Sequence, residues 1–468
     1  MTTTSSAGVA DARIRNRILL VLFVGVFMSA LDGAVIAPAV PALRAAFGVD
    51  NSQIGMLTIV FVLFTMSSTT LMASLGDRYG RRPVFLLCVA GFALGSLWIA
   101  LAPTYWMVLI GRAIQGFSAG GVSPLASAVV GDSFPPAERG KALGLIGATV
   151  GMAFLLGPLV ASAILVVLSW HWIFLINLPI AALVIWLGLR NLPATRAEGN
   201  PPPLDWAGIL IIAVMLSCLT LGINRVLDTV TGLTLWPYLL GAAALCAPLL
   251  IAAERRAARP VAPLDLFNSR QIALTYVLCV GAGFSMGSVI FVSSVAVAAL
   301  GFTPEGAGLL LMPMVAASSV GSVVFGRLLN RLGSRRVMII GFSNAALGSA
   351  LLSLSGAGLW MFLIATLLVG HGVGIVVGGT LRTIVLNEVA AEQRGAAQGL
   401  VNVAIAVGNL LVVAVLGFVA DVFGGGMTGL GAAYLTSAAV TAAMTLLSFG
   451  LRPHGEEQVL IAAGQRVS

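Results

Sequence analysis

Apolar residues gather into long runs along this chain, and the short polar stretches between them carry most of the charge. Crossing the hydrocarbon core of a bilayer takes an α-helix of about 20 mostly apolar residues. Runs of roughly that length lie near 18–40, 53–75, 84–102, 106–130, 142–167, 173–190, 206–223, 235–253, 272–299, 306–326, 337–356, 360–381, 397–420 and 430–451, predicting fourteen membrane helices. An even number puts both termini on one side. One carboxylate breaks the first run: Asp32, in "SALDGAVIAPAVPAL" (29–43). A carboxylate at that depth costs at least ~2.5–3.5 kcal/mol, so it needs a partner and a reason.

Composition supports the membrane reading. Charged residues make up 9% of the 468, against about 25% in soluble domains. The 55 glycines suit close helix packing in lipid. The net charge of +8 lies between apolar runs, not in a patch suited to nucleic acid, and none is expected as a partner. Cys88, Cys218, Cys246 and Cys279 sit inside apolar runs with no metal or redox spacing, so they read as packing residues and no metal site is expected. Of the 25 basic residues, Arg44 and Arg225 fall in one set of loops and Arg112 within a helix. The other 22 are assigned to the opposite loops and the termini, which makes that side cytoplasmic. The basic segment 1–17 reads as a tail before an uncleaved first helix.

An internal repeat organises the chain. Leu75, Arg78, Gly80 and Arg82 of "ASLGDRYGRR" (73–82) recur as Leu328, Arg331, Gly333 and Arg335 at an offset of 253 residues. "ERGKALG" (138–144) is echoed by "QRGAAQG" (393–399) at 255. Duplication of a six-helix unit is expected, with 18–190 and 272–451 as the two bundles. The segment 191–271, opened by "GNPPPLDWAG" (199–208), then holds two inserted helices, and 452–468 is a tail. Repeats of this kind place substrate near the mid-plane, between the halves.

These motifs resemble the major facilitator superfamily, in its fourteen-helix drug:proton antiporter branch, along essentially the whole chain. "GDRYGRRP" (76–83) is similar to its cytoplasmic loop signature, with Ala73 in place of the usual leading glycine. "RAIQG" (112–116) resembles its helix 4 motif, and Gly144, Ala153 and Gly157-Pro158 follow its helix 5 antiporter spacing. "LDGAVIAPAVP" (31–41), "WHWIFLINLP" (170–179) and "LDWAG" (204–208) are also similar to that branch, although Ala34 and Ala37 stand where threonine and asparagine are usual. The resemblance implies an all-α integral membrane protein: two six-helix bundles plus two inserted helices.

The chemistry then sorts by place. Asp77, Arg78, Arg81 and Arg82, in a turn permitted by Gly76 and Gly80, are expected to form a latch between the halves, with Arg331 and Arg335 as counterparts. Arg112 keeps its proton in a protein, so inside the membrane it needs an anion, and Asp32 is the expected partner. Asp32, Arg112 and His371 are the candidates for proton coupling. Gly144, Gly147 and Gly151, with Gly157 and Pro158, form the antiporter motif of helix 5, where close packing and a kink are expected. Gln115, Asn402, Asn409, Phe284 and Met286 are the candidates for a substrate cavity.

No G-x-x-x-x-G-K-[ST] occurs, so ATP hydrolysis is not expected. The resemblance implies a transporter and no enzyme, driven by the proton gradient without a cofactor. The expected function is proton-coupled efflux of lipophilic drugs or toxic compounds, cationic ones among the candidates, across the cytoplasmic membrane. A monomer with both termini in the cytoplasm is expected. Import or exchange of a small anionic metabolite, and lipid transport, are the competing readings.

Overall fold

The computed structural model describes residues 11–49, 51–194, 205–226, 235–257, 266, 269–302, 310–354, 358–390 and 393–459. The first half holds α1 (Ala12–Phe47), α2 (Asn51–Tyr79), α3 (Arg81–Ala100), α4 (Tyr105–Ser133), α5 (Pro136–Val167) and α6 (His171–Asn191), the last with a break at Ile176. Two helices follow, α7 (Trp206–Val226) and α8 (Trp236–Glu254). The second half holds α9 (Arg270–Leu300), α10 (Met312–Leu332), α11 (Ser334–Ser353), α12 (Leu359–Glu388), α13 (Arg394–Val422) and α14 (Gly426–Ser448). Among the described residues twelve of these are long and apolar enough to cross a membrane. The twelve exclude α5 and α7, whose apolar stretch is Trp206–Gly222, so the expected fourteen spans are matched at twelve.

The helices pair in one pattern twice over. In the first half α1 packs on α5, α2 on α4, and α3 on α4 and α6. In the second half α9 packs on α13, α10 on α12, and α11 on α12 and α14. Between the halves, α5 lies against α10 and α2 against α13. The helix pair α7–α8 stands outside the bundles, with α7 spanning the seam between α2 and α13. There Ile209, Ile212 and Leu216 bury against Met66 of α2, beside Leu400 and Val403 of α13. Large apolar side chains such as Trp106, Tyr238 and Trp360 point outward, as helices surrounded by lipid require.

One expectation at a helix end is corrected, and helix reaches into both segments read as tails. The expected turn around Asp77 is helix up to Tyr79, and α3 starts at Arg81, so the reversal is confined to Gly80. Gly80 has φ 97° and its repeat counterpart Gly333 has φ 78°, a region in which only glycine rests without strain. Helix α1 starts at Ala12, within the segment 1–17 read as a tail. The last tail is partly folded, since 454–459 are helical and Glu457 accepts hydrogen bonds from the Ser334 amide and hydroxyl at the start of α11. The opening of the proline-rich linker (199–204) and of the expected tenth helix (306–309) lie outside the described residues, as do 1–10 and 460–468.

The charge pattern also assigns Arg382 to a loop. The structure places it inside α12, buried at 9% exposure. A search for apolar runs stops at the polar residues Thr380, Arg382 and Thr383. The helix continues because those side chains are buried in the protein, away from lipid.

Candidate functional site

Asp32 is buried to 1% exposure, and its carboxylate is fully engaged. Arg112 Nη1 donates to Oδ2 at 2.5 Å, while Gln115 Nε2 and Asn177 Nδ2 donate to Oδ1 at 3.1 and 3.0 Å. Gln115 Oε1 accepts from Arg112 at 2.9 Å, and Ser96 Oγ accepts from Gln115 and Asn177 at 2.7 and 3.2 Å. The guanidinium also donates through Nε to the Leu57 carbonyl at 3.3 Å and lies 4.3 Å over the Phe61 ring. Five helices of the first bundle thus converge on one ion pair. Arg112 and Gln115 share a face of α4 at i, i+3, and the break at Ile176 ends just before Asn177.

A cation and two amides thus surround the carboxylate, the kind of partners a buried charge requires. Gln115, expected to line a cavity, belongs to the cluster and is fully buried. Asn177 and Ser96 were not singled out from the sequence. Asn177 sits in the quoted "WHWIFLINLP", whereas Ser96 carries no signal in one dimension.

The second site joins the bundles at the end where α2, α4, α10 and α12 finish. The Asp77 carboxylate accepts the Ala396 amide at 3.0 Å, in the first turn of α13 in the opposite bundle, and Arg81 Nη2 at 3.2 Å. An anion at a helix N-terminus gains from exposed amides and the helix dipole, typically about 0.3–1 kcal/mol and up to ~2 when partly buried. The approach requires Gly395, where a Cβ would lie 2.3 Å from Asp77 Oδ1. Arg81 also pairs with Asp132, which receives Arg394 of the other bundle at 3.0 Å.

A matching set lies where α5 meets α10 and α12. Asn330 donates to the Ala137 carbonyl, Arg139 to Asn387 Oδ1 at 3.0 Å, and Ser322 to the Gly144 carbonyl at 2.7 Å. Arg139 and Arg394 stand in the quoted "ERGKALG" and "QRGAAQG", whereas Asp132 and Asn387, related by the same 255-residue offset, were not singled out from the sequence.

The other latch candidates are placed differently. Arg82 donates to the Leu189 and Leu192 carbonyls of its own bundle. Arg78 lies 5.2 Å over Tyr79, Arg335 is 5.6 Å from the Phe449 ring, and Arg331 is exposed.

Gly147 of α5 packs at the kink of α12, where a Cβ would come 2.8 Å from Gly378 Cα, while Gly157 faces Ala34 of α1. Gly151 and Pro158 lie in α5, but their surroundings fall outside the described residues.

His371 belongs to the second bundle. Its Nδ1 is 2.9 Å from Asn344 Nδ2 and its ring meets Phe325 edge-on, away from the Asp32 cluster. Asn402 Oδ1 accepts from Arg382 at 2.7 Å. Asn409 lies against α9 at Gly287, Phe284 is buried among Val412, Leu416 and Ala433, and Met286 packs on a neighbouring apolar cluster.

Comparison with known proteins agrees with this architecture. The family model described as Major Facilitator Superfamily matches residues 22–297 and 273–466. The Tetracenomycin C resistance and export protein of Streptomyces glaucescens is 32% identical over 418 residues, covering 86% of this chain and 77% of that protein. Multidrug resistance protein 3 of Bacillus subtilis is 30% identical over 340 residues, covering 72% and 66%. The crystal structure of the human organic anion transporter MFSD10 (TETRAN) superposes with a TM-score of 0.71 at 19% identity, covering 92% of this chain and 99% of that one, a likeness of fold alone. This chain is therefore a multi-pass membrane protein of the Major Facilitator Superfamily, a transporter and not an enzyme, with relatives of the drug-efflux type.

Proposed function

We propose that the protein exports lipophilic compounds in exchange for protons, by alternating access, with Asp32 as the proton carrier. The observation that supports this reading is the Asp32–Arg112 pair, buried among amide donors inside one bundle. Protonating Asp32 would remove the charge that Arg112, Gln115 and Asn177 hold. The cluster joins α1, α2, α3, α4 and α6, so the change would bear on how the whole bundle packs against its partner. The arginine-rich end is read as the cytoplasmic face of the cytoplasmic membrane, with both termini there. Its cross-bundle contacts then close the inner gate, and this conformation is the outward-facing or occluded one. We further propose that the transporter works as a monomer, with the proton gradient as its energy source and no cofactor.

The test is proton release from purified protein in weakly buffered detergent solution on adding rhodamine 6G. The parent should release protons and Asp32→Asn should not. Undiminished release from Asp32→Asn would show that another group carries the proton.

A further inference from the structure

Arg382 lies in the half of α12 that follows its kink, buried between the bundles. Among the described residues its guanidinium meets neutral oxygens: Nη1 donates to Ser127 Oγ of α4 at 3.2 Å and Nη2 to Asn402 Oδ1 of α13 at 2.7 Å. Of the other buried arginines here, Arg112 has Asp32 and Arg81 has Asp77 and Asp132, whereas Arg139 also meets neutral oxygens, but through all three of its nitrogens: the Gly131 and Phe134 carbonyls of its own bundle and Asn387 Oδ1 across the interface. A guanidinium stays charged in a protein and offers five donors in a rigid fork, suited to a planar oxyanion. In this conformation Arg382 is a dehydrated cation without a described anion.

Its position says when an anion could reach it. Ser127 precedes Arg382 by 255 positions, the repeat offset, so each is the other's counterpart and they meet where the two bundles face each other. Parting of the bundles at this end separates Arg382 from Ser127 and leaves it with Asn402 on the wall of the opening. The five-residue π segment Val376–Thr380, with Gly378 off helical geometry at ψ −131°, lies directly before it. Such bulges mark places where a helix departs from regular bonding, often at functional sites.

We propose that Arg382, with Asn402 beside it, is an anion-recognition site that takes the carboxylate or sulfonate of a lipophilic organic anion when the bundles part at the arginine-rich end. The fork binds two oxyanion oxygens, and the Asn402 amide can turn its nitrogen toward the ligand once it no longer accepts from Arg382. The inference rests on the export reading only for the direction of transport. It adds the charge of one class of substrate.

The test uses the full-length protein in phosphatidylcholine nanodiscs, with fluorescein as the lipophilic carboxylate and rhodamine 6G as a cationic xanthene of similar shape. Binding is read by fluorescence anisotropy against empty nanodiscs, for the parent, Arg382→Gln and Arg382→Lys. The parent should bind fluorescein, Arg382→Gln should bind it at least about tenfold more weakly, as expected for losing a charge-assisted hydrogen bond, and Arg382→Lys should recover part of the loss. Rhodamine 6G binding should be unchanged or tighter in Arg382→Gln. A purely structural role would move both dyes together. Thermal unfolding of Arg382→Gln should occur at or above the parent temperature, since the change removes a buried charge that lacks an anion. If Arg382→Gln does not fold, Asn402→Ala replaces it and should weaken fluorescein alone.

Equal fluorescein binding by parent and variant, or no fluorescein binding by the parent, overturns the proposal. Dye uptake into inverted vesicles under a pH gradient separates the two readings. Fluorescein bound through Arg382 but never accumulated would sink proton-driven export and leave the anion site standing. Accumulation of rhodamine 6G by a parent that binds no fluorescein would do the reverse.

Discussion

Arg394 donates to Asp132 across the bundle interface at 3.0 Å, and 255 positions earlier in the chain Arg139 donates to Asn387 over the same distance. The repeat has kept both arginines but only one of the two carboxylates. A carboxylate is likewise missing one helix away, where Asp77 accepts a backbone amide of the opposite bundle and its counterpart Asn330 instead donates to the Ala137 carbonyl. Among the described residues, one side of this closure is ionic and the other is not.

The ionic side should therefore dominate how tightly this end closes. Asp77→Asn loses the charge at the start of α13, about 1 kcal/mol, enough to shift a closed–open equilibrium roughly fivefold. Transport by Asp77→Asn in inverted vesicles should fall, while fluorescein, which the Arg382 site takes with the bundles parted, should gain up to about fivefold in apparent affinity in nanodiscs. Gly395→Ala forces Asp77 away and should reproduce the defect, and the double variant should be no worse than either single one. Additive losses would show that the two residues act separately.

The Asp32 pair makes an energetic prediction. Arg112→Gln leaves a carboxylate buried without its cation, which typically costs about 3–5 kcal/mol. The unfolding temperature in detergent should drop clearly. The combination of Arg112→Gln with Asp32→Asn removes both charges and should regain much of that stability without regaining gradient-driven export. A double variant as unstable as Arg112→Gln alone would mean that packing around Arg112, not its charge, sustains the fold.

His371 stands apart from the carboxylate, beside Asn344. If Asp32 carries the proton, His371→Gln should retain most substrate-induced proton release, since Gln can still hydrogen-bond to Asn344. Loss of release in His371→Gln comparable with that of Asp32→Asn would place the histidine on the proton path.

The inserted pair α7–α8 is tied to the first bundle by more than apolar contact: Ser67 and Ser217 hydroxyls lie 3.2 Å apart, and Thr220 donates to Met66 sulfur at 3.5 Å. With the native cysteines replaced, Ser67→Cys together with Ser217→Cys should cross-link under mild oxidation and leave transport nearly intact if α7 moves with α2. Abolished transport after cross-linking, restored by reduction, would instead show that α7 must slide along α2.

The sequence alone determined the membrane class, most helix positions and the pairing of Asp32 with Arg112. Those follow from local rules: helices in lipid satisfy their own backbone, so apolar length marks them, and a buried carboxylate and a buried guanidinium need each other. The repeat offset also paired "ERGKALG" with "QRGAAQG", which hold Arg139 and Arg394, but not the partners of those arginines. Tertiary structure decided the rest. Asn177 and Gln115 converge on Asp32, and Ser96 on those two amides, only because five helices pack together, and a spacing such as Asp32 to Asn177 carries no periodic signal. Arg382 looked like a loop residue because polarity along a chain marks solvent unless another helix supplies the polar surroundings. Here Ser127, 255 residues away, and Asn402 on the next helix supply them. Whether a polar residue lies in a membrane helix depends on what packs against it, and that is settled only when the bundles meet.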